Sequence, residues 1–440
     1  MLFLINKSIQ SIDSLKHFYE AQKKYINQKS QKGMKENKMG YLADFYFNVL
    51  THGTEEEKSH PTIVNLKEAL DKHIDILEVT DRGVRYSITS DNPELFTNIK
   101  KSSKEYRKYH EMPIIHGNNT LIMLITKFEE FIADVITYIY EKYPNKYLNH
   151  QTITFFEIES NGVDTIKNII VDREVDHIMR DSYMEWFALL ADHKINLCCC
   201  SKELETLKEL YARRNILVHN SGEVNDVYIK NVPNTSFELG DKLYAGDQYL
   251  RKAFETIKTI IYCIMIEAIK LDKKQKSMYV DNIFLNAFEE LVAGNYHTCE
   301  TVFSCIYNSG YTDEETKQMA RINYWIAKIE NEGLNSVRNE VQAFDVSALE
   351  KKFILAKVVL LEEYSRANGL IEELCNKGEL DTYAVEEWPL FKGYRKTQEY
   401  QIFKNSHPEL FDILTSDTQL ENSLQDKETT KNVKAELTNS

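Results

Sequence analysis

The sequence predicts a mainly α protein, with a helical bundle, a second helical array behind it and a small mixed module in front. Three observations carry that expectation. Turn-makers are scarce, with 15 Gly and 7 Pro in 440 residues, too few for a sheet-rich fold. Apolar residues recur at helical spacing over long stretches. Strand character is confined to short stretches: in Asp75 to Thr89, the residues Ile76, Val79, Val84, Tyr86 and Ile88 flank Asp81-Arg82-Gly83, the pattern of a short hairpin. Hydrophobic residues make up 42% and charged residues 28%, so a packed core is available. The length suits about two to four domains.

Residues 1 to about 110 are polar and Lys-rich, with helices expected over Ile9 to Gln28 and Ile63 to Leu70. Asn118 is expected to open a strong helix, in which Leu121, Leu124, Ile125, Phe128, Phe131, Ile132, Val135, Ile136 and Ile139 share a face and which Pro144 ends. Gln151 to Ile158 reads as a short extended piece. A second helical region covers about Val163 to Leu197, with Trp186, Phe187 and Leu190 in its apolar part, and Lys202 to His219 forms a third. After a polar loop with Gly222 and Gly240, a fourth helix runs from about Asp247 to Leu271. Four main helices with a loop before the last make a bundle over residues 111–275. From Asp281, Phe284 to Leu291, a turn at Ala293-Gly294-Asn295 and the Cys299–Val302 stretch read as helix, turn, helix. Ala320 to Ala327 and Ala348 to Tyr364 continue the series to about residue 412, and residues 413–440 are expected to be a disordered tail.

The net charge of -14 excludes a broad electrostatic footprint for duplex nucleic acid, while leaving room for a local RNA cleft. Met1-Leu2-Phe3-Leu4-Ile5 is too short for a signal-peptide core. Thr259 to Leu271 is too short to span a bilayer and carries Glu267 and Lys270. The expectation is a cytoplasmic chain with no membrane partner. Of seven cysteines, Cys198, Cys199 and Cys200 are adjacent, while Cys263, Cys299, Cys305 and Cys375 are scattered without a C-x-x-C pair. Such spacing favours reduced thiols. Adjacent positions on a helix point apart, so these residues are expected to act as small buried hydrophobes and not as a zinc cluster. With no H-E-x-x-H and no paired acids, no metal or cofactor is expected.

The segment Arg213-Arg214-Asn215-Ile216-Leu217-Val218-His219 stands out. On a helical wheel Leu204, Leu207, Leu210, Tyr211, Leu217 and Val218 share an arc, with Arg214 near its middle. A guanidinium on an apolar face needs an anion. His219 lies about 140° round the helix, Asn215 projects between them, and Arg213 is expected on the polar side. The helix should stop near Asn220-Ser221-Gly222. A bland alternative exists, with Arg214 paired to a neighbouring carboxylate and His219 satisfying the last carbonyls.

The whole stretch Glu209 to Gly222 resembles the last-but-one helix of HEPN domains, which carry an Arg, a polar residue and then a His, followed by an Asn-x-Gly stretch. Arg214, Asn215 and His219 occupy those places, and the bundle layout agrees over about residues 111 to 275. The resemblance implies a metal-independent ribonuclease that is a homodimer, with two Arg214 and two His219 in one cleft, in an antiviral or toxin effector. Arg213, Asn220 and Ser221 are then expected to contact the RNA. Some HEPN toxins have a Tyr two places after the His, modified by a partner enzyme. Ser221 stands there, so that control is not expected. The run Trp388 to Arg395 is similar to the closing segment of tetratricopeptide-like arrays, which implies a protein or peptide partner for residues 276–412.

The chemistry suits these side chains. In RNA the 2′-hydroxyl can attack the adjacent phosphate, which takes one base and one acid, and imidazole serves as either. A planar guanidinium stabilises the phosphorane. Asn215 can orient the phosphate or the imidazole. Other polar groups, His116-Gly117 and Asp176-His177, read as isolated surface pairs. Asp172, Glu174, Asp176 and Asp181 read as a solvated face, one of which is a possible partner for Arg214. Two further functions fit the sequence: a non-catalytic dimerisation and protein-binding module, and a nucleotide sensor that holds phosphate with Arg214.

Overall fold

In a computed structural model, residues 2–72, 74–80, 83–88, 93–147, 152–271 and 276–408 are described. The expected tail at 413–440 lies outside them. Among the described residues the chain is mainly helical, and its two strands, β1 (Ile74–Thr80) and β2 (Gly83–Ile88), form an antiparallel pair that matches the expected hairpin. No helix among the described residues is long and apolar enough to cross a membrane.

The chain divides into two compact units, each built from separated stretches of sequence. One comprises Asn6–Val135 and Glu205–Phe254, and the other Met1–Ile5, Ile136–Leu204 and Glu255–Ser440.

In the first unit the helix expected at Ile9 to Gln28 runs from Leu2 to Glu36, and Pro61–Leu70 matches the second expectation. A helix at Lys38–His52 was not expected. The strong helix does not begin at Asn118. It begins at Pro93, continues through Pro113 and ends at Lys142, and so runs through the expected boundary at 110/111. The reason is packing against the N-terminal helices. A Cβ on Gly33 would sit 2.2 Å from the Tyr109 ring, and one on Gly40 would sit 2.1 Å from the Ser103 nitrogen. Those backbone approaches hold the polar turns before Asn118 in helix, although their apolar periodicity is weak. The buried apolar residues of this unit include Ile9, Ile12, Leu15, Leu121, Leu124, Ile125, Phe128, Leu207, Leu210 and Leu250, all fully or nearly covered.

In the second unit, Phe155 to Asn161 is helix, so an extended piece remains only at 152–154, while Gln151 falls outside the described residues. The region Val163 to Leu197 is two helices, Val163–Ile178 and Tyr183–Asp192. Helices Lys276–Val292, Tyr296–Asn308 and Glu314–Glu332 follow, each packed on the one before it, with the expected turn at Gly294 in a left-handed conformation. Lys351–Leu360 packs on Tyr364–Asn376, and that helix on Gln398–Ser406. The aromatic segment from Trp388 forms short 3₁₀ turns that bury Phe391 and Tyr394.

Candidate functional site

The motif helix spans Ser201–His219 and ends where the sequence predicts. Its stop is a left-handed C-terminal motif. The Gly222 amide reaches back to the Ile216 carbonyl at 2.9 Å, with Ser221 at φ 51° and Gly222 at φ 79°. The chain then folds back along the helix. Leu243 donates to the Gly222 carbonyl at 2.8 Å, and Val224, Tyr228 and Leu243 pack on Ala212 and Ile216.

That fold-back overturns part of the helical-wheel reading. Arg213 is not on a polar side. It is 7% exposed, donates to Glu209 at 2.7 Å and to the Tyr244 carbonyl at 3.1 Å, and lies 4.1 Å from the Tyr249 ring centroid. Glu209 also accepts from Tyr228 at 2.9 Å and from Tyr249 at 2.6 Å. Burial and the Glu209 charge push the Tyr228 phenol up to about 12 and raise Tyr249 well above its usual value, so both remain neutral donors. Every polar member of this cluster is hydrogen-bonded, as burial requires. Arg213 is enclosed structure and leaves the set of expected RNA contacts.

Arg214 is the more accessible of the two. Its Nη2 donates to Glu129 at 3.0 and 3.4 Å, and its Nη1 donates to Asn215 Oδ1 at 3.3 Å. The anion that the wheel demanded is therefore Glu129, on the helix Pro93–Lys142, and not one of the acids at 172–181. Glu129 is three-quarters buried, and burial raises its carboxyl despite the attraction of Arg214. A guanidinium has five N–H donors, so these bonds leave donor hydrogens on Arg214 for an incoming anion.

Asn215 and His219 are exposed. Among the described residues none hydrogen-bonds the His219 ring. Five residues of helix put His219 about 7.5 Å along the axis and about 140° round from Arg214, so one helix does not bring the two side chains together. Val218 was expected on the apolar arc, yet it is 48% exposed beside His219. Asn220 donates from Nδ2 to the Glu223 carbonyl at 2.6 Å and so closes the turn, while Ser221 is exposed on it. Comparison with protein-family models, with curated proteins and with solved structures finds no match to this chain.

His116 and Gly117 are structural. The His116 ring stacks on Tyr19 at 4.9 Å, and a Cβ on Gly117 would meet the Ala245 carbonyl oxygen at 2.1 Å. Asp176 and His177 are exposed on a helix.

Two features escaped the sequence reading. A cleft of about 850 Å³ opens beside the hairpin, lined by Lys100, Lys104, Arg107, Lys108 and His52, with Glu111 and the rings of Phe47 and Tyr86. Phe47 and Tyr86 stack at 5.2 Å. The i, i+4 and i, i+8 spacing of Lys100, Lys104 and Lys108 was the available signal. The second feature is a convergence of cysteines. Cys198–Cys200 is a 3₁₀ turn ahead of the motif helix, and Cys199 and Cys200 both reach a third cysteine, against the expectation that they would stay apart. Their Sγ atoms and that of Cys263 lie within 4.8 Å of one another. No local spacing pattern could have revealed a grouping so distant in sequence.

Proposed function

We propose that this chain is a metal-independent endoribonuclease with a HEPN-type core. It works as a homodimer in which two copies of Arg214, Asn215 and His219 line one cleft, and it serves as an antiviral or growth-arrest effector. The observation that carries the reading is Arg214 braced by Glu129, with donors to spare, on the same two turns as exposed Asn215 and His219. A brace of this kind fixes a guanidinium for a planar, two-pronged grip on a phosphate.

In the proposed reaction one His219 takes the proton of the 2′-hydroxyl. The O2′–P bond forms, and Arg214 meets the negative charge that builds on the phosphorane. The P–O5′ bond breaks, and the second His219, protonated, gives its proton to O5′. The products are a 2′,3′-cyclic phosphate and a 5′-hydroxyl. One helix holds Arg214 and His219 apart, which is why the second copy is needed, and half-exposed Val218 is a natural seam for it. The basic cleft around Lys100, Lys104 and Lys108 would hold RNA backbone. Residues 276–408, with helices stacked on their chain neighbours, fit a tetratricopeptide-like arm for a protein or peptide partner.

The test is cleavage of a mixed-sequence RNA by purified protein, with product ends mapped. Cleavage should leave 2′,3′-cyclic phosphates and fall by about 10²-fold or more in His219→Ala and in Arg214→Ala. A 2′-deoxy substitution at the scissile position should block it. Full activity in a monomer overturns the shared cleft. Intact RNA with the parent chain under every trigger overturns the nuclease and favours the binding module.

A further inference from the structure

The cysteine grouping joins three elements of one unit. Cys199 and Cys200 come from the 3₁₀ turn Cys198–Cys200, Cys263 from the helix Asp247–Ala268, and Cys305 from the helix Tyr296–Asn308. The Cys263 and Cys305 sulfurs are 4.0 Å apart, and Cys199, Cys200 and Cys263 lie within 4.8 Å of each other. Around a tetrahedral zinc ion, with Zn–S bonds of ~2.3 Å, neighbouring sulfurs are ~3.8 Å apart.

We propose that Cys199, Cys200, Cys263 and Cys305 form a tetrathiolate site for a structural Zn²⁺ ion. Four sulfur donors suit a soft ion of tetrahedral habit and give a closed coordination sphere with no open position, the mark of a structural and not a catalytic zinc. Other contacts place the ligands. The Asn196 amide donates to Glu267 at 2.9 Å, Lys270 pairs with Glu267 and reaches the Lys194 carbonyl at 3.5 Å, and the Cys198 amide donates to Asn196 Oδ1 at 3.0 Å. These bonds pin the loop that delivers Cys199 and Cys200 against the end of the helix that carries Cys263. Cys200 and Cys263 are buried, Cys305 is half-buried and Cys199 is exposed. An adjoining cleft of about 240 Å³, lined by Cys199, Cys305 and Glu267, gives an ion a way in.

Thiolates, not thiols, bind zinc, so the ion would displace protons and be lost in acid. Cys200 immediately precedes Ser201, the first residue of the motif helix. The ion would therefore fix where that helix begins.

The experiment is metal analysis of the full chain purified under reducing conditions without chelator, followed by Co²⁺ reconstitution of chain stripped in acid. About one zinc per chain is expected, with the visible absorption of a tetrahedral thiolate Co²⁺ site after exchange. Cys199→Ser and Cys305→Ser, at the accessible ligands, should lose the metal and lower the melting temperature, whereas Cys198→Ser and Cys375→Ser should keep it. A folded parent chain with no zinc and no Co²⁺ spectrum overturns the proposal. So does zinc that survives in both ligand variants, or mapping of these cysteines as disulfides.

Discussion

Two adjacent arginines sit in opposite surroundings, and the difference is one of cover. Arg213 is enclosed by Glu209, Tyr228, Tyr249 and the Tyr244 carbonyl. Arg214 spans Glu129 and Asn215 at a half-open surface. The sequence located the motif, its stop and the need for an anion beside Arg214. It could not say which face of the helix would be buried at its C-terminal end, because that is decided by residues 224–243 folding back over Ala212 and Ile216. Nor did it identify Glu129, which is 85 residues away. A paired substitution separates the two arginines. Arg213→Met leaves the largely covered Glu209 without its cation and should cost about 3 kcal/mol of stability, the lower end for breaking a buried ion pair. Arg214→Met should change stability by about 1 kcal/mol, the scale of a partly exposed pair, and, on the proposed function, abolish cleavage. Denaturant unfolding beside the RNA assay reads both. Equal loss of stability in the two variants would show that Arg214 is also structural.

At the scale of elements, the motif helix is fastened at both ends, and each fastening has a sign that can be checked. At its C-terminus Ser221 and Gly222 are both left-handed, and a Cβ at Gly222 would lie 2.5 Å from the Leu243 carbonyl oxygen. Gly222→Ala should therefore destabilise by about 1–3 kcal/mol, from backbone strain and the clash together. Ser221→Gly should stabilise by a few tenths to about 1 kcal/mol, since Gly adopts that conformation freely. Thermal melts in which both substitutions act in one direction would refute this account of the turn. Near its N-terminus, buried Glu203 pairs with His297 at 3.1 Å. The hydrogen bond to Glu203 raises the His297 imidazole above its usual value. A raised histidine contributes stability that is fully present below the unfolded value, about 6.5, and is lost as pH rises through the higher folded value. The parent should thus melt above His297→Gln at about pH 6, with the gap closing as pH rises. A gap that widens with pH would mean that neutral His297 is the favoured form. The helices themselves were legible because their apolar periodicity is long. The early turns of Pro93–Lys142 were not, because close contacts at Gly33 and Gly40, and not a local pattern, hold them.

At the scale of the whole molecule, charge is the quantity that composition reports and position decides. The net charge is -14, which by itself argues against a polyanion partner. Yet Lys100, Lys104, Arg107 and Lys108 line one cleft of the first unit beside the stacked rings of Phe47 and Tyr86. Screening makes the local arrangement decisive. At about 0.15 M salt the Debye length is roughly 8 Å, so acidic groups farther off are muted while the lysines nearest a bound phosphate are screened least, Lys108 in exchange for its pair with Glu105. Backbone contacts of this kind release counterions, and each one on single-stranded RNA adds about 0.7 to the slope of log affinity against log salt. If the cleft carries RNA, replacing Lys100, Lys104 and Lys108 together by Ala should lower that slope by about 2 and weaken binding for every sequence alike. Titrating a labelled single-stranded RNA against the His219→Ala chain, which the proposed reaction leaves unable to cleave, across a salt series measures it. The variant keeps the Arg214 site, so a slope that does not change would place the RNA path elsewhere, whereas complete loss of binding at every salt would mean that the cleft, and not the motif, holds the chain on its substrate.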